Sequence, residues 1–115
     1  MALVRRFVVA EDSMRPALEP GDGLLAVPLR RPRKGKICVV RQPGSTDFWL
    51  VKRITAVPGE VVEVEGRHWR VGDDQVFVLS DNREVTNADS RLYGPLPSDD
   101  AYRVVLRIPK PLMMR

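Results

Sequence analysis

Short runs of β-branched and aromatic residues recur along the chain, each bounded by glycine, proline or acidic residues. Runs of this length and make-up predict strands, at 6–10, 23–27, 37–41, 48–57, 61–65, 68–71, 75–79 and 102–108. Turn signals separate them: Pro20-Gly21-Asp22-Gly23, Pro43-Gly44, Pro58-Gly59, Glu65-Gly66 and Val71-Gly72-Asp73. Two of these turns would join 61–65, 68–71 and 75–79 into a meander. No long stretch carries helical periodicity. One helical turn is expected at 14–18, behind Asp12 or Ser13 as cap and with Pro16 near its start. The pattern predicts a mainly β protein, antiparallel sheets coiled into a barrel-like body with at most short helical turns, as one domain over 1–115.

The run 48–57 is the most informative. Side chains alternate faces in a strand, so Leu50, Lys52, Ile54 and Ala56 share one face, and Trp49, Val51, Arg53, Thr55 and Val57 the other. A lysine among Leu, Ile and Ala is expected to be partly desolvated. Desolvation disfavours the ammonium, and a neutral amine can accept a proton. On this strand alone, Lys52 reads more readily as a charged side chain that snorkels to the strand edge.

Composition narrows the class. The chain has 115 residues, 43% of them apolar, enough for one buried core. Its 19 basic and 15 acidic residues leave a modest excess of +4, too small to imply nucleic acid as a partner. A single cysteine, Cys38, excludes an internal disulfide and a zinc knuckle, and its run Ile37-Cys38-Val39-Val40 reads as a buried strand. Nothing calls for a metal or cofactor. No run reaches the roughly 20 apolar residues that cross a bilayer. The expected location is cytoplasmic, with membrane association possible through the basic cluster Arg30, Arg31, Arg33, Lys34 and Lys36 and the apolar tail Leu112-Met113-Met114. The same cluster reads more simply as a solvated hairpin. The oligomeric state is not legible.

Candidate chemistry gathers at Glu11-Asp12-Ser13-Met14-Arg15-Pro16, where a strand runs into a tight turn. Such a junction can expose a hydroxyl and aim backbone N–H groups at one point, as acyl transfer requires. Taken alone, Ser13 reads as an N-cap. A serine nucleophile needs a base. The only histidine, His68, lies beside a turn with no carboxylate placed to orient it, and reads as a surface strand residue. A lysine base is the remaining variant of the triad logic.

Ser13-Met14-Arg15-Pro16-Ala17-Leu18 with Gly21-Asp22 resembles the first box of type I signal peptidases, the S26 serine peptidases. The segment 34–40 resembles the second box. Val51-Lys52-Arg53 with Pro58-Gly59-Glu60 is similar to the box that carries the catalytic lysine. Asp81-Asn82-Arg83 with Asp89-Ser90-Arg91 and Gly94 resembles the last. The four occur in order over most of the chain. The resemblance implies the S24/S26 peptidase fold and a serine endopeptidase that cuts a leader, signal or pro-segment from a polypeptide, with small residues before the cut.

It also implies roles. Ser13 is the nucleophile and Lys52 the base; the Ser13 N–H helps form the oxyanion hole. Thr86 holds the lysine amine. Asp81, Asp89 and Arg91 brace the last box by pairing within it, and Met14 and Pro16 meet the substrate. Four departures stand out. Ser80 stands where the last box begins with Gly, an extra residue lies between Thr86 and Asp89, Lys36 replaces an Asp, and Glu11 occupies a place held by Gly or Ser. Glu11 is expected to point away from the oxyanion.

The lack of an anchor before Ser13 resembles short S26 proteins that mature other proteins, including those that trim the leader of nickel-type superoxide dismutase. Two other readings share these residues. One is a self-cleaving S24-like regulator, disfavoured because twelve residues precede Ser13. The other is an inactive binding module of the same fold.

Overall fold

The structure, a computed structural model, describes residues 3–113. Among the described residues nine strands form in order: β1 (Arg5–Val8), β2 (Gly23–Pro28), β3 (Ile37–Arg41), β4 (Trp49–Ala56), β5 (Val61–Val64), β6 (Arg67–Arg70), β7 (Gln75–Leu79), β8 (Leu96–Pro97) and β9 (Tyr102–Ile108). Two single helical turns, α1 (Ser90–Tyr93) and α2 (Lys110–Met113), complete it. Seven strands make one curled antiparallel sheet in the order β1-β2-β9-β3-β4-β7-β8. The mainly β, barrel-like expectation holds, as a half-barrel with edges at β1 and β8 rather than a closed one.

Three details differ from the sequence reading. The meander does not form. β5 and β6 pair only with each other, while β7 pairs with β4 and β8. The reason is burial. Val76, Phe77, Val78 and Leu79 are all buried, so β7 needs cover on both faces and a neighbour on each edge. β5 alternates exposed and half-buried positions, as an outlying hairpin does. The 14–18 segment is not a helix but a hydrogen-bonded turn, with Leu18 N–H donating to Met14 O at 2.9 Å and a cis Arg15–Pro16 bond. Helical turns form instead at α1 and α2. The alternation along β4 also breaks at Thr55, where the register against β7 shifts. Ile54 then packs with Cys38, Val40, Val76 and Val78, while Ala56 joins Val71, Phe77 and Leu79.

A third cluster, Val9, Met14, Leu18 and Leu24, lies under the segment that carries Ser13. That segment is pinned at its base. Asp22 is fully buried; its carboxylate accepts from Glu19 N–H at 2.8 Å, Arg107 Nε at 2.7 Å and Lys110 N–H at 2.9 Å. Burial pushes this carboxyl up, but those donors outweigh it and hold it below the ordinary aspartate range. Of the apolar tail, Leu112 is exposed and Met114 lies outside the described residues. Among the described residues, no helix is long and apolar enough to cross a membrane.

Candidate active site

Lys52 lies in the middle of β4, with the buried Cys38 as its cross-strand partner on β3. Its side chain is among the largest that are fully buried, at 2% exposed. It does not snorkel. Burial lowers its pKa below the ordinary lysine value; the carboxylates of Asp89 and Glu11 oppose that shift and Arg91 adds to it. The amine donates a hydrogen bond to Ser80 Oγ at 2.8 Å.

Ser13 follows β1 and is nearly buried, at 8% exposed. Two strand-end contacts hold its segment against the residues after β7. Asn82 N–H donates to Ser13 O at 2.8 Å, and Asn82 Nδ2 donates to Asp12 O at 3.3 Å. The Asp81 N–H also points to Met14 Sδ at 3.4 Å. Ser80 is two positions from Asn82, so one short stretch touches both the Ser13 backbone and the Lys52 amine. Among the described residues, Lys52 makes its hydrogen bond to Ser80 and none to Ser13.

The last box is braced differently from expectation. Asp81 does not pair within it. Arg53, on the outward face beside Lys52, donates from Nε and Nη2 to the two Asp81 oxygens at 2.8 and 2.7 Å. Its Nη1 donates to Gly35 O at 2.7 Å. This fork locks β4 to the start of the loop after β7. Asp89 and Arg91 do pair with each other, and they are buried rather than a surface pair. Asp89 caps α1, accepting from Arg91 N–H at 2.9 Å, and also accepts from Ser80 N–H at 2.9 Å. Burial pushes the Asp89 carboxyl up; the Arg91 guanidinium and the two N–H donors more than reverse that. Arg91 reaches on to the carbonyls of Arg83 and Thr86. One guanidinium thus ties the whole 83–91 loop.

Thr86 is not at the amine. Its hydroxyl accepts from Ala88 N–H at 3.0 Å, inside the tight turn made by the extra residue. Met14 is buried in the cluster beneath the segment, so of the two expected substrate contacts only Pro16 is exposed. Glu11 is exposed, yet near enough to act on the Lys52 charge. His68 is exposed on β6, 3.6 Å from Glu63 on β5. Burial pushes the Cys38 thiol up to about 12, which makes it inert. Four of the five basic-cluster residues, Arg30, Arg31, Arg33 and Lys36, line an open cavity of about 640 Å³ with Arg103. Lys34 instead pairs with Glu60 at 2.9 Å.

Sequence reasoning saw Ser80 only as a substitution. Its place becomes visible only with the strand register. Arg53 pairs with Leu79, so the next antiparallel place opposite Lys52 is Ser80.

Comparison with known proteins bears on this arrangement. A model of the family described as signal peptidase, peptidase S26, matches residues 1–70. A probable signal peptidase I-1 of Synechocystis sp. is 33% identical over 140 aligned positions, covering 87% of this chain and 71% of that protein. A signal peptidase I of Pseudomonas aeruginosa is 29% identical over 76 positions, 52% of this chain and 27% of that protein.

Proposed function

The chain belongs to the peptidase S26 family and is a serine peptidase, and from that premise we propose that Ser13 and Lys52 form its catalytic dyad. The observation that carries the proposal is the buried Lys52 amine, kept below the ordinary lysine value by desolvation and bonded to Ser80, in the same short stretch whose Asn82 N–H holds the backbone of the nearly buried Ser13. In this reading the neutral amine takes the Ser13 proton as Oγ attacks the scissile carbonyl carbon. The C–O bond forms, and the carbonyl oxygen takes the negative charge, facing the Ser13 N–H. Collapse breaks the C–N bond, and the Lys52 ammonium gives its proton to the leaving amine. Lys52 then deprotonates a water that attacks the ester; the C–Oγ bond breaks, the Lys52 ammonium returns its proton to Ser13 Oγ, and the released acid ionises to the new carboxylate.

The substrate is a polypeptide that carries a leader, signal or pro-segment. Residues 1–115 act as one peptidase unit. Glu11 is exposed, which suits a carboxylate turned from the oxyanion. The five cations at the open cavity offer a salt-sensitive contact with anionic lipid.

The test is cleavage of an internally quenched peptide with alanine before the scissile bond. The parent chain cuts it, while Ser13→Ala and Lys52→Met do not, with both variants folded by circular dichroism. Parent-like cutting by folded Ser13→Ala would remove Ser13 as nucleophile.

A further inference from the structure

We propose that Ser80 is the positioning residue that aims the Lys52 amine, a task the resemblance assigns to Thr86. The proposal rests on the dyad reading. Its basis is geometric. Ser80 follows the last residue of β7 and sits at the register place opposite Lys52, on the same face of the sheet. The two side chains meet at 2.8 Å, and both are buried. The hydroxyl is held from behind. Ser80 N–H donates to Asp89 Oδ2 at 2.9 Å, and Asp89 is gripped by Arg91. A rigid chain therefore runs from Arg91 through Asp89 and the Ser80 backbone to the amine.

The chemistry follows from the bonding of a neutral amine, which has two N–H groups and one lone pair. With one N–H fixed on Ser80 Oγ, rotation about Cε–Nζ is restricted, and the lone pair remains free for the Ser13 proton. Without that anchor the amine rotates, and fewer encounters have the lone pair in line. Ser80 is not itself a second nucleophile. It is 2% exposed against 8% for Ser13, and its oxygen already holds the amine. Thr86 has a separate task, closing the turn at Ala88. The hydroxyl has thus moved from the loop to the strand end, where this chain has Ser in place of Gly.

The charged groups that act on the amine are Asp89, Glu11 and Arg91, and Ser80→Ala leaves all three. Its effect is then the loss of one hydrogen bond, which favours the ammonium more than the amine. Three chains are compared with the parent: Ser80→Ala, Ser80→Thr and Thr86→Val. Two readouts are used, the pH dependence of kcat/KM on the quenched alanine peptide and the midpoint of the Lys52 ¹³Cε titration by NMR. Ser80→Ala is expected to lower the kcat/KM plateau by roughly 10–100-fold, as removal of an orienting partner does elsewhere. It should also move both the acid limb and the NMR midpoint down by about one pH unit, the size of one charge-assisted hydrogen bond. Ser80→Thr should restore the rate to within a few-fold, and Thr86→Val should leave the midpoint in place. A lower plateau with limb and midpoint unmoved would make Ser80 merely structural and overturn the proposal. So would a shift in Thr86→Val and none in Ser80→Ala. The NMR midpoint needs no turnover, so a failure of the dyad reading, seen as parent-like cutting by Ser13→Ala, is separable from a failure here.

Discussion

A fully buried lysine is a cost to the fold as well as a tool. In the unfolded chain Lys52 stays protonated up to about its ordinary value of 10.5; in the folded chain burial makes it release its proton at lower pH. Between those two values the unfolded state binds more protons, so stability rises with pH there. The contribution is fully present above 10.5 and is lost as pH falls through the lowered native value. Lys52→Met removes this penalty. It should melt at or above the parent temperature at pH 7 while losing cleavage, a combination that a scanning calorimeter and the peptide assay together check. A clear fall in melting temperature would mean that the charged amine is stabilising where it lies. Thr86→Val belongs at the same scale. It loses only the bond to Ala88 N–H, so it should cost about 0.5–1.5 kcal/mol in denaturant unfolding and cleave within a few-fold of the parent. A rate loss as large as that of Ser80→Ala would return the lysine partner to Thr86.

At the scale of elements, β4 and the loop after β7 hold the site through two ion pairs of different depth. The Arg53–Asp81 fork is partly open to solvent, and the Asp89–Arg91 pair is buried. Asp89→Asn leaves Arg91 without its charge partner, for which about 3–5 kcal/mol at pH 7 is expected. Asp89 has a native pKa below the ordinary 3.8, so its contribution is present above 3.8 and lost as pH falls through the lowered value. The urea midpoints of parent and variant should therefore converge in acid; a gap that stays constant from pH 7 to pH 2 would contradict this.

The same elements explain what the sequence reveals. Eight of the nine strands are legible because their alternation or apolar runs are long enough to register. β8 is only two residues, too short for any pattern. The pairing of β7 with β4, like that of Arg53 with Asp81, joins residues far apart in the chain, and alternation within one run carries no information on which run it faces. Ser80 is hidden for the same reason, since its role depends on register against β4. Lys52 is half legible: its apolar face is in the sequence, while the depth of its burial depends on its cross-strand partner Cys38 and the Ser80 contact.

For the whole molecule, the net charge is +4, and the five cations at the open cavity carry more than that excess between them. They cluster at the Val27–Pro28 end of β2, whereas a mostly apolar groove lined by Phe7, Val8, Leu24 and Ile108 lies at its Gly23 end. A bilayer that met the cations would therefore meet little of that apolar surface. Adsorption should be electrostatic, at about 1 kcal/mol for each basic residue near the surface. In flotation at low salt the chain should rise with anionic vesicles and not with neutral ones, and Arg30, Arg31 and Arg33 changed together to Gln should abolish this. Equal flotation with both vesicle types would assign the contact to the apolar end instead.

The dyad itself is tested most directly by titrating the Lys52 amine. With ¹³C-labelled lysine, the Lys52 ¹³Cε shift is followed across pH alongside kcat/KM on the alanine peptide. The midpoint should lie clearly below 10.5 and coincide with the acid limb of the rate profile. A midpoint at or above 10.5, or an active enzyme whose limb does not track it, would contradict Lys52 as the base.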